Sequence, residues 1–403
     1  MSTADRHPAE DRVSAALLGL VERSHEMEPD RVGSLAAEAA VALGALDCEL
    51  YLIGLEQRHL TRFDPTERGR LERLAVDGTL AGHAFITGTP QASREEGLLW
   101  VPLIDGVDRL GVLGLRFAQP VPDELGWASD LAGIVTLLLV TKSCYTDAYA
   151  TAVRTEEMSL SAELIWTMLP PLTLSSPSVS VAGILEPAYD IGGDVFDYAV
   201  DSSDLFVSVF DAMGHGLEAV SSSVMAVSAG RHCRRRGDDL LEAAERIEEA
   251  LFRSSAAEVY VTALLMHLSL DDGVLRWLNA GHPHPLLMRG GRVVDRLSST
   301  PQLPLGLGPV SRSVNELHLQ PGDQVVLFSD GVTEGRRRGG TAFGEERFAD
   351  QMERAAMAEL PAAETMRRAA HAVLDHHEHQ LRDDFTMVLV HYRGYAGGVS
   401  SKL

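Results

Sequence analysis

The sequence predicts an α+β protein of two domains joined by a helical connector, and three observations predict it. The chain has 403 residues, enough for two domains of ordinary size. Its strand-like runs come as hairpins around a central pair of amphipathic helices, with no regular strand–helix–strand alternation, which argues against a parallel sheet. Finally, acids stand beside apolar strand-like runs at four separate places, Asp194, Asp211, Asp330 and the pair Asp383-Asp384. An acid there is costly to bury unless a cation or a hydrogen-bond donor neutralises it. Taken singly, each is accounted for as a turn former. Taken together, they predict one shared site for hard divalent cations, Mg2+ or Mn2+, which prefer carboxylate, carbonyl and water oxygens.

Composition narrows the function classes. The chain is 45% hydrophobic, so each domain can bury a core, and its net charge of -23 argues against nucleic-acid or anionic-membrane binding. Cys48, Cys144 and Cys233 are widely spaced with no CxxC, as expected of reduced thiols in the cytoplasm. The first dozen residues are polar and carry no signal-peptide core. The apolar run 131–140 is too short to span a bilayer and reads as a buried helix. The final Ser401-Lys402-Leu403 matches a peroxisomal address, which we read as coincidence.

In chain order, residues 13–26 place Val13, Leu17, Leu20 and Val21 at helical spacing, and 32–43 form an alanine-rich second helix. Residues 48–54 alternate as a strand, and 78–88 read as a short helix closed by Gly88. Residues 98–104 and 110–117 form a hairpin around Asp105-Gly106-Val107-Asp108-Arg109, and 125–149 form a long closing helix. This order over residues 13–148 resembles a GAF domain. Gly82-His83-Ala84-Phe85-Ile86-Thr87-Gly88 and the Trp100 to Gly114 hairpin carry the resemblance. It implies a sensory or dimerising module with a small-molecule ligand over its sheet. A lone His83 is read as a partly buried helix residue.

Residues 149–171 are expected to be a helical signalling linker. Met158, Ala162, Ile165 and Leu169 alternate at four- and three-residue spacing, a heptad-like seam that Pro170-Pro171 stops. A homodimeric signalling helix is the expectation, and a helix packed on its own chain is the alternative.

Beyond residue 176, strands are expected at 179–185 and 205–210, then helices at 217–236 and 239–254. Hairpins follow at 259–270 with 274–280 and at 285–289 with 293–297, then a strand at 323–328. Helices at 348–357 and 362–376 precede a last strand at 385–392. Six ordered motifs punctuate these elements: Asp190-Ile191-Gly192-Gly193-Asp194, Asp211-Ala212-Met213-Gly214-His215-Gly216, Asn279-Ala280-Gly281-His282-Pro283, Pro304-Leu305-Gly306, Ser329-Asp330-Gly331-Val332-Thr333-Glu334 and Asp383-Asp384-Phe385-Thr386.

Together, over residues 176–393, they resemble the metal-dependent PPM-type protein serine/threonine phosphatases of the bacterial sporulation and stress branch. The resemblance implies an α/β/β/α sandwich of two antiparallel sheets and two Mn2+ or Mg2+ ions. Carried over by position, Asp211 bridges both ions, the Ala212 carbonyl adds a ligand, and Asp194, Asp330 and Asp383 complete the set, with Asp384 the alternative to Asp383. Ala212 stands where many members have glycine, and no ligand is lost.

Two cations a few ångström apart activate a water and neutralise phosphoryl charge. His215 and His282 are the histidines placed to give a proton to the leaving serine, His282 more readily read as a loop-fixing residue. The substrate implied is a phosphorylated STAS-type antagonist of an anti-sigma factor.

Two further clusters carry less. His371, Asp375, His376, His377 and His379 have ligand types but read as a solvated helix end. Arg336-Arg337-Arg338 reads as a solvated loop before a docking site for an acidic substrate. A diguanylate-cyclase-like reading of Ile191-Gly192-Gly193-Asp194-Val195-Phe196 fails at Val195 and leaves Asp330 and Asp383 without a role. A catalytically inactive pseudophosphatase scaffold would be missing a ligand acid, and none is missing.

Overall fold

The computed structural model describes residues 8–66, 72–118, 121, 126–190, 192–254, 260–308, 310–334, 342–358, 360–378, 381 and 383–394. The chain divides into two compact units, Met1–Glu156 and Glu157–Leu403.

The first unit runs α1 (Pro8–Ser24), α2 (Val32–Ala42), β1 (Asp47–Ile53), β2 (His59–Arg62), β3 (Arg73–Ala75), α3 (Leu80–Thr87), β4 (Gln91–Ser93), β5 (Leu98–Asp105), β6 (Asp108–Arg116), α4 (Gly126–Lys142) and α5 (Ala148–Val153). Its strands pair antiparallel in the order β3-β2-β1-β6-β5-β4. Alternation along the strands sends Leu50, Leu52, Val101, Leu103, Leu113 and Leu115 to one face, where they pack with Leu35, Leu131 and Val135 of the helices. Tyr51 and Val112 take the other face with Phe85 of α3, and Trp100 meets Tyr51 edge-on at 5.4 Å. The segment Gly126–Tyr145 is long and apolar enough to cross a membrane by length and composition. One face of it packs into the core, through Leu131, Ala132, Val135 and Leu139, while Leu137 and Val140 remain exposed.

The second unit opens with α6 (Leu160–Met168), β7 (Thr173–Ser175), β8 (Val179–Glu186), β9 (Asp194–Val200), β10 (Asp204–Ala212), α7 (Leu217–Arg236) and α8 (Leu240–Ser254). It continues with β11 (Val261–Ser269), β12 (Val274–Ala280), β13 (Leu286–Arg289), β14 (Arg292–Arg296), β15 (Asn315–His318), β16 (Gln324–Phe328), α9 (Asp330–Thr333), α10 (Glu345–Met357), α11 (Ala362–His376) and β17 (Phe385–Tyr392). One sheet has the order β15-β12-β11-β10-β9 and the other β14-β13-β16-β17-β8-β7. Phe196, Val207, Val209, Leu264 and Trp277 of the first meet Val181, Val325, Leu327 and Val388 of the second in a shared core. Helices α6, α7 and α8 cover the outer face of the first sheet, and α10 and α11 that of the second. The result is the expected α+β sandwich of four layers.

The expected linker differs. Helix breaks off at Val153 and starts again at Leu160. Ser159 is the start signal: its Oγ accepts the Ala162 N–H, an N-cap that ends any continuous helix through this point. The heptad-like seam is also not a free stripe, because Ala162 and Ile165 are fully buried among the side chains of α7 and the first sheet. The alternative, a helix packed on its own chain, is what α6 is. Strand β2 and the edge strands β3, β4, β7 and β15 are only three or four residues long, so periodicity does not announce them.

Candidate active site

The β9–β10 hairpin puts its two acids side by side. Asp194 opens β9, Asp211 nearly closes β10, and the antiparallel register makes them direct cross-strand partners. On the opposite sheet, β16 ends at Phe328, Ser329 and Asp330 follow, and Asp383-Asp384 precede β17, whose Met387 pairs with Phe328. Both sheets therefore deliver acids to the same end of the sandwich.

Electrostatics report the convergence. Burial first, then the neighbouring carboxylates of Asp330, Asp384 and Asp383, push Asp211 up to about 7. Burial and the charges of Asp384 and Asp330 push Asp383 up to about 6. Asp194 is raised well above the usual carboxylate range by burial, then by Asp384 and Asp211, against the opposing Ser329 hydrogen bond. Asp330 is raised by burial and by Glu334. A cavity of about 300 Å³ opens beside them, lined by Pro187, Asp190, Gly192, His215, Leu381 and Asp383 among others, with no Lys or Arg among its described lining residues.

Asp383 and Asp384 have different jobs. Asp384 is buried, and its Oδ2 accepts the Gly193 N–H at 3.0 Å and the Asp194 N–H at 2.7 Å. Asp383 is exposed, and both acids line the cavity. The clip made by Asp384 escaped the sequence reading. Its signal is Gly193-Asp194 itself, whose N–H groups at a buried strand start need an acceptor. Close approach explains the glycines here. A Cβ on Gly331 would fall 2.1 Å from the Asp384 carbonyl oxygen, and one on Gly193 2.6 Å from the Ala212 carbonyl oxygen.

The two histidines separate as well. His282 is buried and burial pushes its pKa down to about 3, so it is neutral. Its backbone is clipped by Asn279, whose Nδ2 donates to the His282 carbonyl and whose Oδ1 accepts the His282 N–H, both at 2.8 Å. Its Nδ1 lies 2.9 Å from Thr262 Oγ1, on the strand position facing Asp211. His282 is thus the loop-fixing residue it was read to be. His215 is exposed at the cavity edge. Near α11, Arg347 approaches His376 at 3.0 Å. His379, Arg336-Arg337-Arg338, Ile191 and Ser401-Lys402-Leu403 lie outside the described residues.

The donor set suits hard divalent cations: carboxylate and carbonyl oxygens, mutually repelling, with no basic side chain lining the cavity beside them. Among the described residues no group of three His, Cys, Asp or Glu side chains is already drawn together tightly enough to hold an ion.

Comparisons with known proteins agree with this end of the chain. The family described as Stage II sporulation protein E (SpoIIE) matches residues 201–393, which includes Asp211, Ala212, Asp330 and Asp383 but not Asp194. The phosphoserine phosphatase RsbU of Bacillus subtilis is 23% identical over 236 residues, 58% of this chain and 69% of that protein. Among solved structures, the RsbU and RsbW domains of a Mycobacterium tuberculosis protein are 24% identical with a TM-score of 0.45, covering 54% of this chain and 62% of that one. The SiaA-PP2C domain of Pseudomonas aeruginosa is 21% identical with a TM-score of 0.48, covering 57% of this chain and 93% of that one. The C-terminal unit is accordingly similar to the SpoIIE family over residues 201–393, and the chain to the phosphoserine phosphatase RsbU.

Proposed function

We propose that this chain is a protein serine/threonine phosphatase that hydrolyses phosphoserine or phosphothreonine on a regulatory protein with the help of two Mn2+ or Mg2+ ions. One observation carries the reading: acids from both sheets come together at one end of the sandwich and raise one another's pKa, beside a cavity that Asp383 and Asp384 line. Asp194, Asp211, Asp330, Asp383 and the Ala212 carbonyl would hold the ions. Bound there, the ions supply an activated water and charge neutralisation at the phosphoryl group. The chain's own residues orient that chemistry. Asp384 fixes the Gly193-Asp194 backbone, Thr262 and His282 stand behind Asp211, and His215 at the cavity edge is placed to give a proton to the leaving hydroxyl.

The substrate we propose is a phosphorylated STAS-type antagonist of an anti-sigma factor, on the similarity to RsbU. The first unit serves as a GAF-type sensory domain that regulates the second. Supporting regulation, α6 lies directly after the unit boundary and holds the loop that leads to Asp194. Trp166 Nε1 donates to the Ala188 carbonyl at 2.8 Å, and the Ser159 N–H to the Tyr189 carbonyl at 2.9 Å. A small-molecule ligand on the α3 face would displace Tyr51, Phe85 or Trp100, which fill it. The setting we propose is cytoplasmic, on the three widely spaced cysteines with no CxxC, and away from nucleic acid and membrane, on the charge of -23.

The test is phosphate release from phosphorylated antagonist with Mn2+, for the full chain and for Asp330→Ala. Release that the substitution abolishes supports the reading. Binding of the phosphoprotein without release supports the scaffold reading instead. Equal turnover by both proteins discredits the assignment of the acids.

A further inference from the structure

We infer that Ser329 is a positioning residue that sets the metal affinity of the site by orienting Asp194 from the opposite sheet. This rests on the phosphatase reading above and goes beyond the ligands themselves. Ser329 follows β16 in the six-stranded sheet, Asp194 opens β9 in the five-stranded sheet, and both are buried, Ser329 completely. The Ser329 hydroxyl donates to Asp194 Oδ2 at 2.5 Å. The same oxygen accepts the Thr386 N–H at 2.9 Å. A hydroxyl has one proton and two lone pairs. With the amide occupying a lone pair, its proton is directed at the carboxylate, and the rotor is fixed.

Asp194 is consequently held at both ends by the other sheet. Its N–H is bound by Asp384 and its Oδ2 by Ser329. These two links lie where the sheets bring Asp194 and Asp211 on one side against Asp330 and Asp383 on the other. A cation shared by acids of two separate sheets needs those sheets in fixed register, because misplacing one donor weakens every bond to the ion. Ser329 supplies that register and leaves Asp194 Oδ1 outside its hydrogen bond. Hydrogen bonds to ligand carboxylates change metal affinity by about 10–100-fold when removed.

The experiment is calorimetric titration of Mn2+ into the full-length metal-free protein, comparing wild type with Ser329→Ala and the volume-conserving Ser329→Cys, whose S–H is a poor donor. Thermal melting of each metal-free protein accompanies it, with turnover measured across Mn2+ concentration. The expected result is Mn2+ affinity weakened by about 10–100-fold in both variants, with turnover recovered at high Mn2+. A purely structural serine would lower the melting temperature and leave the Mn2+ constant where it was; that outcome, in either folded variant, overturns the inference. Wild type that neither binds Mn2+ nor releases phosphate would instead sink the phosphatase reading beneath it.

Discussion

Asp194 and Asp211 face each other as cross-strand partners between β9 and β10, two carboxylates held where like charges repel. Burial of the pair is tolerable in a protein that meets a divalent cation there and unfavourable in one that does not. Function and metal-free stability should therefore pull apart at Asp211. Asp211→Asn is expected to lower phosphate release by at least about 10²-fold, the scale for losing one preorganised electrostatic group. The same change should raise the melting temperature of the metal-free protein, by about 2–4 °C for each kcal/mol of repulsion relieved. A melting temperature that falls, measured in EDTA, would show that Asp211 is held by contacts other than its acidic neighbours.

The raised carboxyls fix a direction for the pH dependence. A carboxyl with a raised folded pKa binds its proton better folded than unfolded. Its contribution is complete below the unfolded value of about 3.9 and is lost as pH rises through the folded value. With Asp383 at about 6 and Asp211 at about 7, the loss falls between pH 4 and just above 7. Metal-free protein should melt at a higher temperature at pH 5 than at pH 8. Saturating Mn2+ should flatten or invert that trend, because the ion binds the ionised carboxylates. Melting curves at both pH values, with EDTA and with Mn2+, measure it directly.

The two histidines offer a cleaner separation. His282 is neutral across the working range because burial drives its pKa to about 3, and it braces Thr262 behind Asp211. His215 is exposed on the cavity edge. His215→Ala should therefore lower turnover by about 10²-fold, measured across the pH–rate profile. His282→Gln should leave the shape of that profile unchanged while lowering the melting temperature. An altered profile for the glutamine variant alone would reverse these roles.

Much of this site is legible in sequence because its chemistry is extreme. Acids beside apolar strands are rare enough that Asp194, Asp211, Asp330 and Asp383 stand out, and glycines such as Gly331 mark where backbones touch. What stays hidden is division of labour between adjacent residues. Asp383 and Asp384 are identical in type and both border the cavity, and only tertiary pairing across the sandwich gives Asp384 the Gly193 and Asp194 amides. The Ser329 link is hidden for the same reason, spanning 135 positions between two sheets. The linker illustrates the opposite failure. Its apolar spacing is genuine, but a stripe at Ala162 and Ile165 serves a neighbouring helix as well as a second chain, and the Ser159 cap that shortens it carries little weight beside periodicity.

That ambiguity yields a last prediction. Ile165 is fully buried against the first sheet's helices, so Ile165→Ala should destabilise the second unit by about 2–5 kcal/mol, the usual range for such a truncation in a core. It should leave the sedimentation coefficient of the full chain unchanged, because no partner chain is needed to cover this side chain. Leu137 and Val140 of α4 are apolar and exposed within one chain, which makes them our proposed contact for a homodimer. Leu137→Glu combined with Val140→Glu should then shift sedimentation towards monomer without lowering the melting temperature of the second unit. Sedimentation that responds to Ile165→Ala and ignores the α4 pair would restore the heptad seam as the dimer contact and require α6 to leave its pocket in the assembled protein.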